Sequence, residues 1–197
     1  MCSRRATCES PPLRGPTADS QNAHTRARWF RSGDMMRTDA DGRVFFVDRL
    51  GDTFRWKSEN VSTNEVADVL GRFPQVAEVN VYGVQVPNTD GRAGCAAFVL
   101  ADGVAEEQLD LAALAEHALG RLPRYAVPIF VRLTKALEYT GTLKLQKGKL
   151  RAEGVDVEKV EAAGDKLFWL GGGNEGRKYV PFRRKDWEAL KGGQVRL

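Results

Sequence analysis

The segment Tyr139 to Lys149 reads YTGTLKLQKGK and sets Lys144, Lys147 and Lys149 behind Gly141. An ammonium on a flexible stem beyond a Gly/Thr turn is suited to moving into a site and neutralising negative charge that builds on phosphate oxygens. The same lysines also read as a solvated face. Asp34 follows Ser32-Gly33, and a carboxylate beside a loop glycine either accepts hydrogen bonds from vicinal hydroxyls such as those of a ribose or serves as a turn residue. Arg49 lies in Asp48-Arg49-Leu50-Gly51-Asp52. Its fork of donors fits hydroxyl or phosphate oxygens, or one half of a surface ion pair, while Gly51 offers the backbone freedom of a hinge. His117, on a stretch of helical spacing, reads as a surface or capping histidine.

Other chemistries are missing. The chain has no GxxxxGK[ST] loop, because Gly148-Lys149 is followed by Leu150, and it has no GxSxG, HExxH or GxGxxG motif. Cys2, Cys8 and Cys95 form no CxxC pair, and His24 and His117 are the only histidines, so neither a metal centre nor a disulfide framework is expected. The chain therefore carries groups that handle charge, without a phosphate cradle or an assembled nucleophile of its own.

The elements that must hold these groups begin near Trp29. Val44 to Val47 and Thr53 to Lys57 read as strands, with a hairpin or sharp reversal at Leu50-Gly51-Asp52. Ser62-Thr63-Asn64-Glu65 matches a capping box and opens a helix whose apolar face is Val66, Val69, Leu70 and Phe73, stopped by Pro74. Strands follow at Val76 to Val86 and, after a loop containing Gly91 and Gly94, at Cys95 to Leu100. A helix over Leu109 to Leu119 and a strand over Val127 to Leu133 precede the lysine-rich loop. This order implies an α+β fold: a short antiparallel sheet with packed helices, preceded by a hairpin and hinge segment. Phe168 to Trp187, interrupted by three glycines, reads as an extended tail with aromatic anchors.

The chain has 197 residues and a formal net charge of +4, enough for one ordinary domain with tails. Residues 1–33 hold six arginines against Glu9 and Asp19, and the remainder holds 24 cations and 24 anions. The basic excess thus belongs to the leader, and nucleic-acid binding is disfavoured. The longest nearly apolar run, Ala93 to Ala101, is far short of the roughly 20 residues of a membrane span.

FRSGDMMRTDADGRVFFVDRLGDTFRWKSENVSTNEVADVL resembles the domain junction of adenylate-forming enzymes, specifically the very-long-chain acyl-CoA synthetase and fatty acid transport protein family. TGTLKLQKGKL resembles that family's C-terminal lysine motif, and the YVPF and DW elements of the tail are similar to fungal members. The resemblance implies joining of a fatty acid carboxylate to AMP from ATP, then displacement of AMP by the thiol of coenzyme A, with the small domain swinging between the steps. It implies Lys144 as the adenylation lysine, Asp34 and Arg49 on the ribose of ATP or AMP, and Gly51 and Asp52 as the hinge. Ser58, Glu59 and Asn60 fall on the loop lining the coenzyme A path, with Ser58 where the family usually has Gly.

The division this implies is a leader over 1–28, the end of the large AMP-binding domain over 29–50, the mobile C-terminal domain over 51–155 and a tail over 156–197. ATP and CoA are then substrates of the intact enzyme, with magnesium held by the large domain, and no cofactor is expected on these residues alone. Fatty acid, ATP and CoA are the expected partners, with no nucleic acid. The expected location is intracellular, with peripheral association at the endoplasmic reticulum, lipid droplet or peroxisome, or otherwise the cytoplasm. The other reading is a stand-alone module that docks on an intact synthetase or an anionic membrane through the basic leader. No large catalytic domain is recognisable in the sequence, so activity of the isolated chain is not expected.

Overall fold

The computed structural model describes residues 34–49, 53–139, 141, 145–171, 178–195 and 197, with Asp34, Met35 and residues 46–49 described by backbone alone. Two short hairpins come first. Strand β1 (Asp34–Thr38) pairs antiparallel with β2 (Val44–Arg49), and β3 (Thr53–Trp56) pairs antiparallel with β4 (Glu59–Ser62). The strands on either side of residues 50–52 therefore belong to different ribbons and do not form the hairpin that is one of the two expectations for this segment. Each pairs instead across a turn held by local geometry. Asp39 accepts from the amides of Asp41 at 3.0 Å and Arg43 at 2.9 Å, and Gly42 supplies φ +79°. Lys57 and Ser58 adopt φ 48° and 68°, the left-handed pair of a two-residue hairpin turn whose twist suits the flanking strands.

Helix α1 (Thr63–Leu70) starts as the capping signal implies, the Ser62 hydroxyl accepting from the amide of Glu65 at 3.3 Å, and it ends at Gly71. Val66, Leu70 and the following Phe73 are buried. A five-stranded sheet follows, in spatial order β5 (Val76–Val84), β6 (Ala93–Leu100), β7 (Phe130–Leu133), β8 (Lys166–Leu170) and β9 (Tyr179–Pro181). All its pairs are antiparallel except β6 with β7, which are joined through helix α2 (Leu111–Leu119). Asp110 caps α2 by accepting from Ala112 and Ala113. His117 is half-buried and joins the two helices. Its Nε2 lies 2.8 Å from the Val69 carbonyl, and its ring meets Phe73 edge-on at 5.4 Å.

Gly94 lies inside β6 rather than in the preceding loop, because Phe54 packs there: a Cβ on Gly94 would come within 3.0 Å of the Phe54 ring. The stretch after the lysine loop is also more structured than its composition implies. It forms α3 (Gly148–Glu153), α4 (Val157–Ala162), β8, β9 and α5 (Arg184–Lys191). The segment expected to be an extended tail completes the sheet. Its aromatics build the far side of the core, with Phe182 edge-on to Phe130 at 5.4 Å and to Trp169 at 5.3 Å, and the Tyr179 hydroxyl donating to the Pro128 carbonyl at 2.8 Å. Asn88 then caps α5, its Nδ2 donating to Leu190 O at 3.0 Å and Lys191 O at 2.9 Å.

Candidate functional site

Three groups of residues carry the chemistry expected from the sequence. The first is the β1–β2 ribbon. Its register sets Asp34 directly opposite Arg49 at the open end of the ladder, so two positions 15 residues apart share one rung. Gly51 and Asp52, the expected hinge, lie outside the described residues.

The second group is the tip of the β3–β4 hairpin. Ser58, Glu59 and Asn60 are all exposed. The prong behind them is firmly seated: Phe54 and Trp56 are 5% and 4% exposed, the amide of Arg92 donates to Arg55 O at 2.7 Å, and Trp56 bridges to Gly91. Gly91, at φ +83°, is where the backbones come closest, since a Cβ there would meet Arg55 O at 2.5 Å. Ser58 holds its left-handed backbone without a glycine's freedom, a strain of about 1 kcal/mol or more. The result is a stiff, exposed prong that can border a ligand path.

The third group closes the lysine loop. Lys144 itself lies outside the described residues, but the base of its loop is well defined. Tyr139 bridges to Leu145, the amide of Gln146 donates to Glu138 O at 2.8 Å, and the Gln146 side chain donates to Tyr139 O at 3.0 Å. Asn80 on β5, 1% exposed, donates to Gln146 O at 3.0 Å. The Lys147 ammonium donates to the Thr63 hydroxyl at 2.9 Å, and Lys149 pairs with Glu138 at 2.8 Å. A hydrogen bond with Glu78 pushes the Tyr139 phenol above its ordinary range, and the Glu138 carboxylate does the same for the Lys149 ammonium. Lys147 and Lys149 thus serve the scaffold of the loop. Asn80, Thr63 and Gln146 carry no chemical signal in the sequence, because their contacts span up to 84 positions.

Beneath this loop lies a buried charge cluster. The Arg132 side chain on β7 is 2% exposed and binds Asp165 at 2.6 Å and Glu153 at 2.7 Å. Burial works to neutralise the guanidinium, but the hydrogen bond to Glu153, the field of Tyr82 and the bond to Asp165 outweigh it. Cys95 donates to the Tyr82 hydroxyl at 3.4 Å, and burial pushes its thiol up to about 12. A cavity of about 220 Å³ separates this cluster from the loop base, lined in part by Arg132, Lys135, Glu138, Gln146 and Lys149. Among the described residues, no group of three or more His, Cys, Asp or Glu side chains could hold a metal ion. No described helix is long and apolar enough to cross a membrane.

Residues 65–144 match the model of the AMP-binding enzyme C-terminal domain, a match that ends on Lys144. The chain is 58% identical over 171 residues to a very long-chain fatty acid transport protein of Cochliobolus heterostrophus, covering 86% of this chain and 26% of the relative. It is 47% identical to a medium/long-chain fatty-acid–CoA ligase of Mycobacterium tuberculosis over 78% of this chain and 24% of that one. The chain thus spans about a quarter of the length of these curated relatives. Among solved structures, the amide bond synthetase McbA of Marinactinospora thermotolerans superposes with a TM-score of 0.56 at 32% identity, covering 68% of this chain and 27% of that one. The o-succinylbenzoate CoA synthetase of Bacillus subtilis, in complex with its acyl-adenylate, gives 0.53 at 27% identity, covering 62% and 24%. By these matches the chain carries the AMP-binding C-terminal domain of the very-long-chain fatty acid transport protein and acyl-CoA ligase family of adenylate-forming enzymes.

Proposed function

We propose that this chain serves as the mobile C-terminal domain of an ATP-dependent fatty acid–CoA ligase. The observation that carries this reading is the domain match ending on Lys144, together with the closed loop base that immediately follows it. In the first step, a fatty acid carboxylate oxygen attacks the α-phosphorus of ATP and pyrophosphate leaves. Negative charge gathers on the α-phosphate oxygens, and the Lys144 ammonium enters to balance it, a contribution of about 10²–10³ in rate for such a donor. Asp34 accepts from the ribose hydroxyls and Arg49 donates to the same nucleotide, which keeps the adenylate in register with the lysine. In the second step, the domain turns about Gly51-Asp52 and brings the prong of Ser58, Glu59 and Asn60 to the path of coenzyme A. The thiol sulfur attacks the acyl carbon and AMP departs.

The adenine pocket, the magnesium site and the acyl channel belong to the large domain in this reading, and the chain completes the reaction only alongside one. The test is to join residues 29–197 to the large domain of the Cochliobolus relative and assay acyl-CoA formation from palmitate, ATP and CoA. The fusion is expected to be active and the unfused chain inactive. An inactive, folded fusion would overturn the reading.

Membrane residence belongs to this proposal as well. It rests on the relatives' description as fatty acid transport proteins and on the five arginines of residues 1–28. Sedimentation with phosphatidylserine vesicles should fall when residues 1–28 are removed, and equal sedimentation of both forms would contradict a role for the leader.

A further inference from the structure

Lys147 breaks two local preferences at once. It stands at the N-cap of α3, where Ser, Thr, Asp and Asn are favoured, and makes no side-chain cap bond there. Its ammonium is instead placed against Thr63, the first residue of α1. That is the positive end of a helix dipole, where a cation is disfavoured. Neither position is explained by helix stability, and a residue that violates local rules twice points to a role elsewhere. Thr63 is 1% exposed, so its hydroxyl needs a partner, and it receives one from 84 positions away.

What the bond joins is informative. Thr63 directly continues strand β4, two residues beyond Val61 and five beyond the turn residue Ser58. Lys147 follows Gln146, whose backbone and side chain both close the loop that contains Lys144. We propose that Lys147 is a positioning residue whose bond to Thr63 couples the base of the lysine loop to the β3–β4 hairpin, so that order in either segment raises order in the other. Asn80 fixes Gln146 from β5, a strand that belongs to neither segment. It makes the loop base rigid without creating the coupling. The bearing on catalysis rests on the reading of Lys144 given above, but the coupling itself does not. A ligand held at the prong would favour the closed loop base, and by reciprocity a ligand held at the loop would steady the prong.

Hydrogen exchange of the full chain, read by mass spectrometry, tests the coupling directly. Thr63→Val and Lys147→Met should each raise exchange roughly tenfold, the loss expected for one hydrogen bond to a charged donor. The rise should appear both in peptides covering 139–146 and in peptides covering 53–62, while β6 and β7 keep their protection. Thr63→Ser keeps the hydroxyl and should restore both regions. Three results would overturn the proposal: unchanged exchange at the loop base, a rise spread over every peptide in step with lost global stability, or failure of Thr63→Ser to restore protection. Loss of acyl-CoA synthesis in the fusion would bear on the Lys144 reading and leave this test unaffected.

Discussion

Phe54 occupies the space that a side chain on Gly83 would need: an added Cβ would lie 2.5 Å from the Phe54 Cβ and 2.8 Å from its Cγ. The hairpin is therefore seated through a slot in the sheet formed by Gly83 on β5 and Gly94 on β6. Gly83→Ala is expected to destabilise the fold by about 1–3 kcal/mol, because neither the strand nor the aromatic ring can yield freely. Urea unfolding followed by tryptophan fluorescence measures this. A change within experimental scatter would mean that Phe54 packs elsewhere.

The buried Arg132 offers a different kind of test. Asp165→Ala removes one of its two carboxylates, and Arg132→Ala leaves both of them without their cation. Each change is expected to cost about 3–5 kcal/mol, and the double variant less than the sum, because an unpaired buried charge is worse than none. Additive losses in the double-mutant cycle would contradict a coupled cluster.

Cys95 should be chemically silent in the native state. Its thiol is raised by burial from 9.0 to about 12, and the Tyr82 phenol is raised by burial as well. Both groups bind their protons more tightly folded than unfolded, so they add stability that is fully present below pH 9 and is lost as pH rises toward 12. The urea midpoint should fall between about pH 9 and 11, and Cys95→Ala should flatten part of that fall. Iodoacetamide should label Cys95 only in denaturant.

Ser58 predicts a gain. At φ 68° it holds a conformation that glycine adopts freely. Ser58→Gly should stabilise the chain by about 1 kcal/mol, and Ser58→Val should cost at least as much. A neutral glycine substitution would show that the turn relaxes without strain.

The sequence exposes the parts of this fold governed by neighbours within about four residues. The Ser62–Glu65 cap and the apolar face of α1 are legible because the partners lie within a turn, whereas the alternation read into β5 is not kept, since Asn80 to Val84 are all buried. The pairing of β2 is not legible, because a strand carries no mark of its partner, and the turn that joins it to β1 is held by the Asp39 side chain. The order of the tail is hidden because Leu167 and Phe168, adjacent and both buried, give β8 no alternation to read and three glycines follow it. At the candidate site, Asp34, Arg49 and Lys144 stand out through residue type and family resemblance. Asn80 and Thr63 do not, since a buried amide or hydroxyl shows its role only when the fold brings a distant donor or acceptor to it.

Lys144 is proposed to serve adenylation. In the fusion with a large domain, pyrophosphate release from ATP and palmitate reports the first step, and thiolysis of preformed palmitoyl-adenylate by CoA reports the second. Lys144→Ala should slow the first by about a hundredfold or more and leave the second within a fewfold of the parent. Equal loss in both half-reactions, or unimpaired adenylation, would contradict the account.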